Sequence, residues 1–264
     1  MSETEDRKIV VIGATGSGKS TLCNVISGKL HNDNRVFPVS PGMESCTNVT
    51  IQSKELWQGK DFNVTVIDTP GLSDSSGQNA KNLIQMAEIL SKLKSVDLFL
   101  LVIQKGTKIG SALVEMIRVF KLCFGVKFLE ENTVIEVSKW AHNEEEKRRN
   151  NETEETFHKK INTEMKKYGV TKDIPCVFID ALHAEEDEEG YEEEIKRFHE
   201  EMDKVKNHLL QNKNISCEGI DDVRSLLKVT MKDLEDSKDR MEKITQELTT
   251  YKKQISDLKK SIGK

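Results

Sequence analysis

Residues 13 to 20 read Gly13, Ala14, Thr15, Gly16, Ser17, Gly18, Lys19 and Ser20, which is the spacing Gly-x4-Gly-Lys-Ser, with Thr21 directly behind it. Glycines at these intervals let backbone N–H groups close round an anion. The lysine adds a point charge, and the last hydroxyl suits a hard divalent cation. The chemistry expected of the stretch is the holding of a nucleoside triphosphate. Amides of Gly16, Gly18 and Lys19 would wrap the β-phosphate, Lys19 would neutralise the β- and γ-oxygens, and Ser20 would meet Mg²⁺. The flanks agree: "RKIVVI" before it is a β-branched run, and Leu22, Val25 and Ile26 after it share one side of a helix.

A second stretch narrows the class. "DFNVTVIDTPGL" alternates into a strand and ends at Asp68, Thr69, Pro70 and Gly71. In this Asp-x-x-Gly arrangement the carboxylate holds a magnesium-bound water and the glycine N–H meets a γ-phosphate. It favours a GTP-binding switch protein over a small-molecule kinase, for which arginine-rich lid segments would be expected. Between the two motifs the polar loop "SPGMESCTNVT" offers Thr47, with Ser45 second, to close over the metal; either hydroxyl also suits a turn cap. The expected metal set is therefore Ser20, Thr47 and Asp68, and the groups expected at the reacting phosphate are Lys19, Thr47 and Gly71.

The elements that must position these residues fit an α/β chain. The chain has 264 residues, enough for one domain of about 200 residues plus an appendage. Its longest apolar run, Leu98 to Ile103, suits a buried strand and is too short to span a membrane. A net charge of −5 gives no reason to expect nucleic acid as a partner. The acidic start "MSETEDRK" does not read as a secretory signal, and no lipidation signal is expected at either end. Cys23, Cys46, Cys123, Cys176 and Cys217 are odd in number and lack metal-ligand spacing, so reduced thiols in a cytoplasmic protein are expected.

Together with "VDLFLLVIQKG" and "FGVKFLEENTVIEVSKW", these stretches resemble the immunity-associated GTPases, the GIMAP or AIG-type G domains, over about residues 7 to 212. The family's Ser-x-Thr context is matched at 45 to 47, its D-T-P-G-L segment at 68 to 72, and its LLV-x-Q-x-G box, the most family-specific of the three, at 100 to 106. The resemblance implies a P-loop G domain with a mostly parallel sheet covered by helices on both faces. It also implies GTP or GDP with Mg²⁺ as ligands, association of G domains, and roles in immunity or stress responses at the cytosolic face of intracellular membranes.

Departures from the family pattern bear on mechanism. After the glycine of the box the family often carries an arginine that acts across a dimer, whereas this chain has Thr107 and Lys108. An arginine so placed is worth about 10³ to 10⁵ in rate, so slow hydrolysis is expected unless Lys108 substitutes. Leu72 stands where small signalling GTPases keep a water-orienting glutamine, and Asp74 reads first as a helix cap. The base-reading segment, patterned Asn/Thr-Lys-x-Asp in GTPases, is here "SKWAHN". Its three registers bring Ala141, His142 or Asn143 to the aspartate position, none of them an anion. Base preference should then be weaker or come from elsewhere. Asp180, at the end of "IPCVFID" where the family has asparagine, is the candidate acceptor for the guanine amine. Lys139 or Trp140 would cover a base face, and His142 is counted with them as a nucleotide-binding candidate. A turn-forming Asp180 and a packing Trp140 are the alternatives.

Beyond a polar connector at 213–219, apolar residues recur at steps of three and four from Ile220 to Ile262. That is a heptad seam of about six repeats, expected to form a C-terminal coiled-coil helix over 220–264. Leu226, Val229 and Met231 lie on another face and suggest that the root of this helix docks on the G domain. An earlier seam, Tyr191, Ile195, Phe198, Met202, Val205 and Leu209, offers a pairing surface within the chain; pairing between chains is the alternative, and a homodimer or oligomer is favoured. Residues 1–6 are expected to be disordered. Three functional accounts follow: a slow Mg²⁺-dependent GTPase with nucleotide-controlled association, a nucleotide-binding scaffold acting through its helices, and an NTPase with relaxed base selectivity.

Overall fold

The computed structural model describes residues 6–29, 34–39, 49–59, 62–72, 78–107, 110–142, 152–181 and 191–230, with 232, 233, 236, 240, 241, 243, 244 and 246 beyond. Thr47, Ser45, Asp74, Lys108, Asn143 and most of the expected coiled coil lie outside the described residues.

Six strands form one sheet. They are β1 (Arg7–Gly13), β2 (Ile51–Leu56), β3 (Asn63–Asp68), β5 (Leu98–Gln104), β6 (Thr133–Ser138) and β7 (Cys176–Ile179), in the spatial order β2-β3-β1-β5-β6-β7. All neighbours run parallel except β2, which pairs antiparallel with β3. A short β4 (Ser95–Val96) pairs with β8 (Ile215–Ser216) in a second sheet. The sheet order reverses direction at β1, so the loop that follows it opens at the switch point where open α/β sheets bind ligands.

Because both faces are covered, the central strands are apolar throughout instead of alternating. Val10, Ile12, Phe99, Leu101, Ile135 and Val137 face one layer, built by α2 (Gln78–Lys92), α3 (Ser111–Phe124), α4 (Lys127–Glu131) and α5 (Glu154–Lys166). Ile9, Val11, Leu98, Leu100, Val102 and Val134 face the other, built by α1 (Lys19–Ile26) and α6 (Glu192–Gln211). Phe99 anchors the first layer, with the rings of Phe120, Phe124 and Phe128 all within 5.7 Å of it. The edge strand β7 would expose unpaired backbone groups; the buried Glu201 of α6 accepts from Phe178 N at 2.9 Å and satisfies one of them.

Two expectations about the helices change here. Phe198, Met202, Val205 and Leu209 are buried against the sheet, so the α6 seam is already occupied and is not open to a folded-back tail. The root of the C-terminal helix, helical over 220–230, does dock, but through Ile220 and Leu227. Leu226 and Val229 are 61% and 59% exposed, which leaves that face to solvent. The seam faces the domain at its start because β8 and the buried Cys217 fix where the helix begins.

Candidate functional site

The loop after β1 turns on glycines whose conformations other residues resist. Gly18, the residue before α1, has φ 102 and ψ 8, a left-handed geometry that a side chain would strain. At the edge of the loop, Gly71 approaches so closely that a Cβ on it would lie 2.5 Å from Thr15 Cα. The main chain of the second motif is thereby laid against the first. Thr15 N donates to Leu72 O at 3.0 Å, and Ala14 bridges Leu72 in parallel. Thr69 Oγ1 donates to Val11 O at 2.7 Å, and Asn82 Nδ2 donates to Gly71 O at 3.1 Å. A third segment joins from β6, where Ser138 Oγ donates to Ser17 O at 2.6 Å.

Within this frame the expected phosphate and metal residues converge. Lys19 is buried, and its ammonium donates to Ala14 O at 2.8 Å, folded back over the loop. Burial lowers its pKa to about 8, against the opposing pull of Asp68. A group so desolvated gains more from a polyanion than a solvated lysine would. Ser20 Oγ donates to Asp68 Oδ2 at 2.7 Å, although 48 residues separate them in the chain. One hydroxyl and one carboxylate at the rim of a phosphate loop form a donor set that fits Mg²⁺, which takes few protein ligands and keeps several waters. Cys23 lies beneath; burial first, and then Asp68, push its thiol well above the usual range, so it is inert. The four described cysteines are free.

A cleft of about 410 Å³ continues from the loop along the ends of β6 and β7, lined by Gly18, Thr21, Arg35, Glu136, Lys139 and Asp180 among others. Asn24 builds its far wall: the buried amide donates to Phe37 O at 2.8 Å and accepts from Val36 N and Phe37 N at 3.1 Å, fixing the segment that carries Arg35. Lys139 is a non-glycine residue at φ 58, a left-handed conformation found more often at functional sites than elsewhere. With Ser138 tied to the loop and Lys139 following it, Ala141 falls at the aspartate position of the base-reading pattern.

Trp140 and His142 do not join this cleft. Trp140 is 5% exposed, packed 5.6 Å from Phe157 and 4.7 Å from Phe178, with Lys105 Nζ 4.6 Å from its ring centroid. Its faces are taken by the protein, so the packing alternative holds and it does not cover a base. His142 is also buried, with Nε2 3.0 Å from Phe178 O and Nδ1 3.4 Å from a Glu154 oxygen. Burial pulls its pKa down, but Glu154 and the Phe178 carbonyl outweigh this and raise it. It secures the start of α5 and leaves no nitrogen for a ligand. Leu72 is buried in the core, and the exposed Thr107 has its hydroxyl proton engaged on Gln104 O at 2.6 Å. Arg35 and Glu136 are charged cleft residues that the sequence motifs do not point to; of these, Glu136 carries a signal in the sequence. Its signal was a carboxylate inside "TVIEVS", a strand otherwise without charge.

The glycine loop on a strand-to-helix turn, the Asp-x-x-Gly segment against it and the sheet order together define an α/β P-loop GTPase fold. Residues 7–214 match the AIG1 family, and the chain belongs to that family. No curated protein sequence matches it. Among solved structures it is similar to Toc33 from Arabidopsis thaliana in complex with GDP and Mg²⁺, at 18% identity and a TM-score of 0.60, covering 81% of this chain and 89% of that one. The same protein with Mg²⁺ and GMPPNP gives a TM-score of 0.57 at 18% identity, covering 80% and 88%. A dimerization-deficient mutant of it gives 0.58 at 18% identity, covering 81% and 88%. At this identity the likeness concerns the fold.

Proposed function

We propose that this chain is a Mg²⁺-dependent GTP-binding protein that hydrolyses GTP slowly and whose nucleotide state controls association of its G domains. The observation that carries the reading is the meeting of Ser20 and Asp68 at 2.7 Å beside the buried, loop-bound Lys19. Bound there, Mg²⁺ would neutralise phosphate oxygens and hold a water. The backbone amides of residues 13 to 20 would orient the β-phosphate, Lys19 would bridge the β- and γ-oxygens, and the Gly71 N–H would sense the γ-phosphate. Thr47 would close over the metal. Asp180 would accept from the guanine amine, with the Lys139 stem against a base face.

Slow turnover follows from two side chains used for structure. Leu72 is packed away where a water-orienting group would be needed, and the Thr107 hydroxyl closes its own turn. The same facts favour a second reading, a nucleotide-binding scaffold with no useful hydrolysis. Residues 7–212 would form the G domain, 213–219 a connector and 220–264 a coiled-coil helix pairing between chains, since α6 offers no free seam. Toc33, whose dimerization-deficient mutant has been solved, is consistent with association of G domains. Family membership supports a role in immunity at the cytosolic face of intracellular membranes; no described helix is long and apolar enough to cross one.

Single-turnover hydrolysis of GTP and ATP at several protein concentrations tests these readings. A GTP rate that rises with concentration is expected. No detectable phosphate release from bound GTP supports the scaffold, and equal use of both nucleotides supports relaxed base choice.

A further inference from the structure

Glu136 stands at a costly place for a carboxyl group. On β6 it follows Val134 and precedes Ser138 on the face that meets α1, so it lies one pleat below the residue that bonds the phosphate loop. It is 2% exposed and lines the cleft together with the apolar Leu22 and Ile179. Its Oε2 is buried and accepts no hydrogen bond among the described residues. A carboxyl taken out of water without a partner costs several kcal/mol, so proteins seldom keep one without a use for it. The charged groups that share its cleft are Asp180 from the end of β7, Lys139 after β6 and Arg35 after α1; α1 itself contributes only Thr21, Leu22 and Asn24 besides Gly18. Two carboxyl groups thus converge on the compartment beyond the phosphate loop.

We propose that Glu136 is a base-selecting residue: its carboxylate accepts a hydrogen bond from N1–H of a bound guanine, beside Asp180 at the exocyclic amine. The inference rests on the GTP-binding reading and assigns to a residue of β6 the work of the aspartate missing from "SKWAHN". The carboxylate form is complementary to guanine and not to adenine. Guanine turns two adjacent donors, N1–H and the 2-amino group, toward such a pair. Adenine turns its N1 lone pair toward the pair, which a carboxylate repels and only the protonated form of Glu136 meets with a hydrogen bond, so its binding releases no proton. Binding would give Glu136 the hydrogen bond it lacks in the free protein. Burial, and then the charge of Asp180, raise its pKa well above 4.5, so guanine captured by the carboxylate form releases a proton. The GTP-to-ATP affinity ratio should therefore increase with pH until the pKa of the free protein is passed. Phosphate ionisation is common to both nucleotides and cancels in the ratio.

The experiment is a titration of the full chain with GTP, inosine triphosphate and ATP in Mg²⁺ from pH 6 to 8, for the unaltered protein, Glu136→Gln, Glu136→Leu and Lys19→Ala. Losing a charge-assisted hydrogen bond should lower affinity for GTP about 10-fold in Glu136→Gln and about 100-fold in Glu136→Leu. Inosine triphosphate keeps N1–H and should fall by the same factors, while ATP should change by clearly less than either. The pH dependence of the ratio should vanish in both variants. An unchanged GTP-to-ATP ratio, equal losses for all three nucleotides, or a pH dependence that survives Glu136→Leu would overturn the inference and leave the GTP reading standing. Failure of the unaltered protein to bind any of the three, with Lys19→Ala no different, would instead remove the reading on which it rests.

Discussion

At the phosphate end of the cleft the groups are tied down, Lys19 to Ala14 within the loop, and Ser20 to Asp68, Ser138 to Ser17 O and Gly71 against Thr15 across segments, although Ser17 Oγ is buried without a hydrogen bond among the described residues. At the base end, Glu136 lies buried without a hydrogen bond on Oε2 among the described residues, and Lys139 sits in a left-handed conformation. The first end is preorganised, so a triphosphate would meet donors already in place and pay little for ordering them. The second end carries a cost that a ligand's donors would relieve. Affinity should therefore come from the phosphates and choice of base from the carboxyl groups.

The largest effect expected is one that leaves this contrast intact. Trp140→Ala empties a site between Phe157 and Phe178 and should destabilise the fold by about 3–5 kcal/mol in denaturant melts. The GTP-to-ATP ratio of the folded fraction should not move; a collapse of that ratio would return Trp140 to the base site. Next, Asp68→Asn should weaken GTP and ATP alike by about 10- to 100-fold in Mg²⁺ and far less in EDTA, as calorimetry would show. Loss for one base only would blur the division between the two ends.

Glu136→Leu should stabilise the nucleotide-free protein by about 1–3 kcal/mol at neutral pH, because an unsatisfied polar group disappears. The sign with pH is fixed by the raised pKa. In the unaltered protein the folded state binds the proton more tightly than the unfolded state does. Stability is therefore full below 4.5 and is lost as pH rises toward the folded pKa. The gain from Glu136→Leu should accordingly be smaller at pH 4 than at pH 7 in thermal melts. The smallest effect belongs to Asp180→Asn, expected to lower the GTP-to-ATP ratio by about 10-fold while sparing ATP. A ratio that stays put removes Asp180 from the base.

The same contrast explains what the sequence made legible. Residues 13 to 20 and 68 to 71 declare themselves because the chemistry is done by contiguous backbone, and glycine spacing is a local property. The β-branched runs of β1, β5 and β6 announce a buried parallel sheet for the same reason. The base end is assembled from β6, β7 and the segment after α1, and nothing local says which side of a strand end a residue takes. The neighbours of Trp140 in "SKWAHN" point it to the base, but Phe157 and Phe178, which claim it, come from later in the chain. His142 is likewise claimed by Glu154 and Phe178. Glu136 reads as one polar position in a strand until the sheet shows both of its faces covered. At 220–230, periodicity marked the helix but not which stripe would meet the domain; β8 and Cys217 set that.

The central claim is that the 13–20 loop and Lys19 hold a triphosphate with its magnesium. Equilibrium titration of the purified chain with GTP and Mg²⁺, beside Lys19→Ala, tests it most directly. Saturable binding is predicted for the unaltered protein, with affinity lower by on the order of 100-fold or more in Lys19→Ala and no loss of fold by circular dichroism. No binding by the unaltered protein, or equal binding by both, would contradict the account.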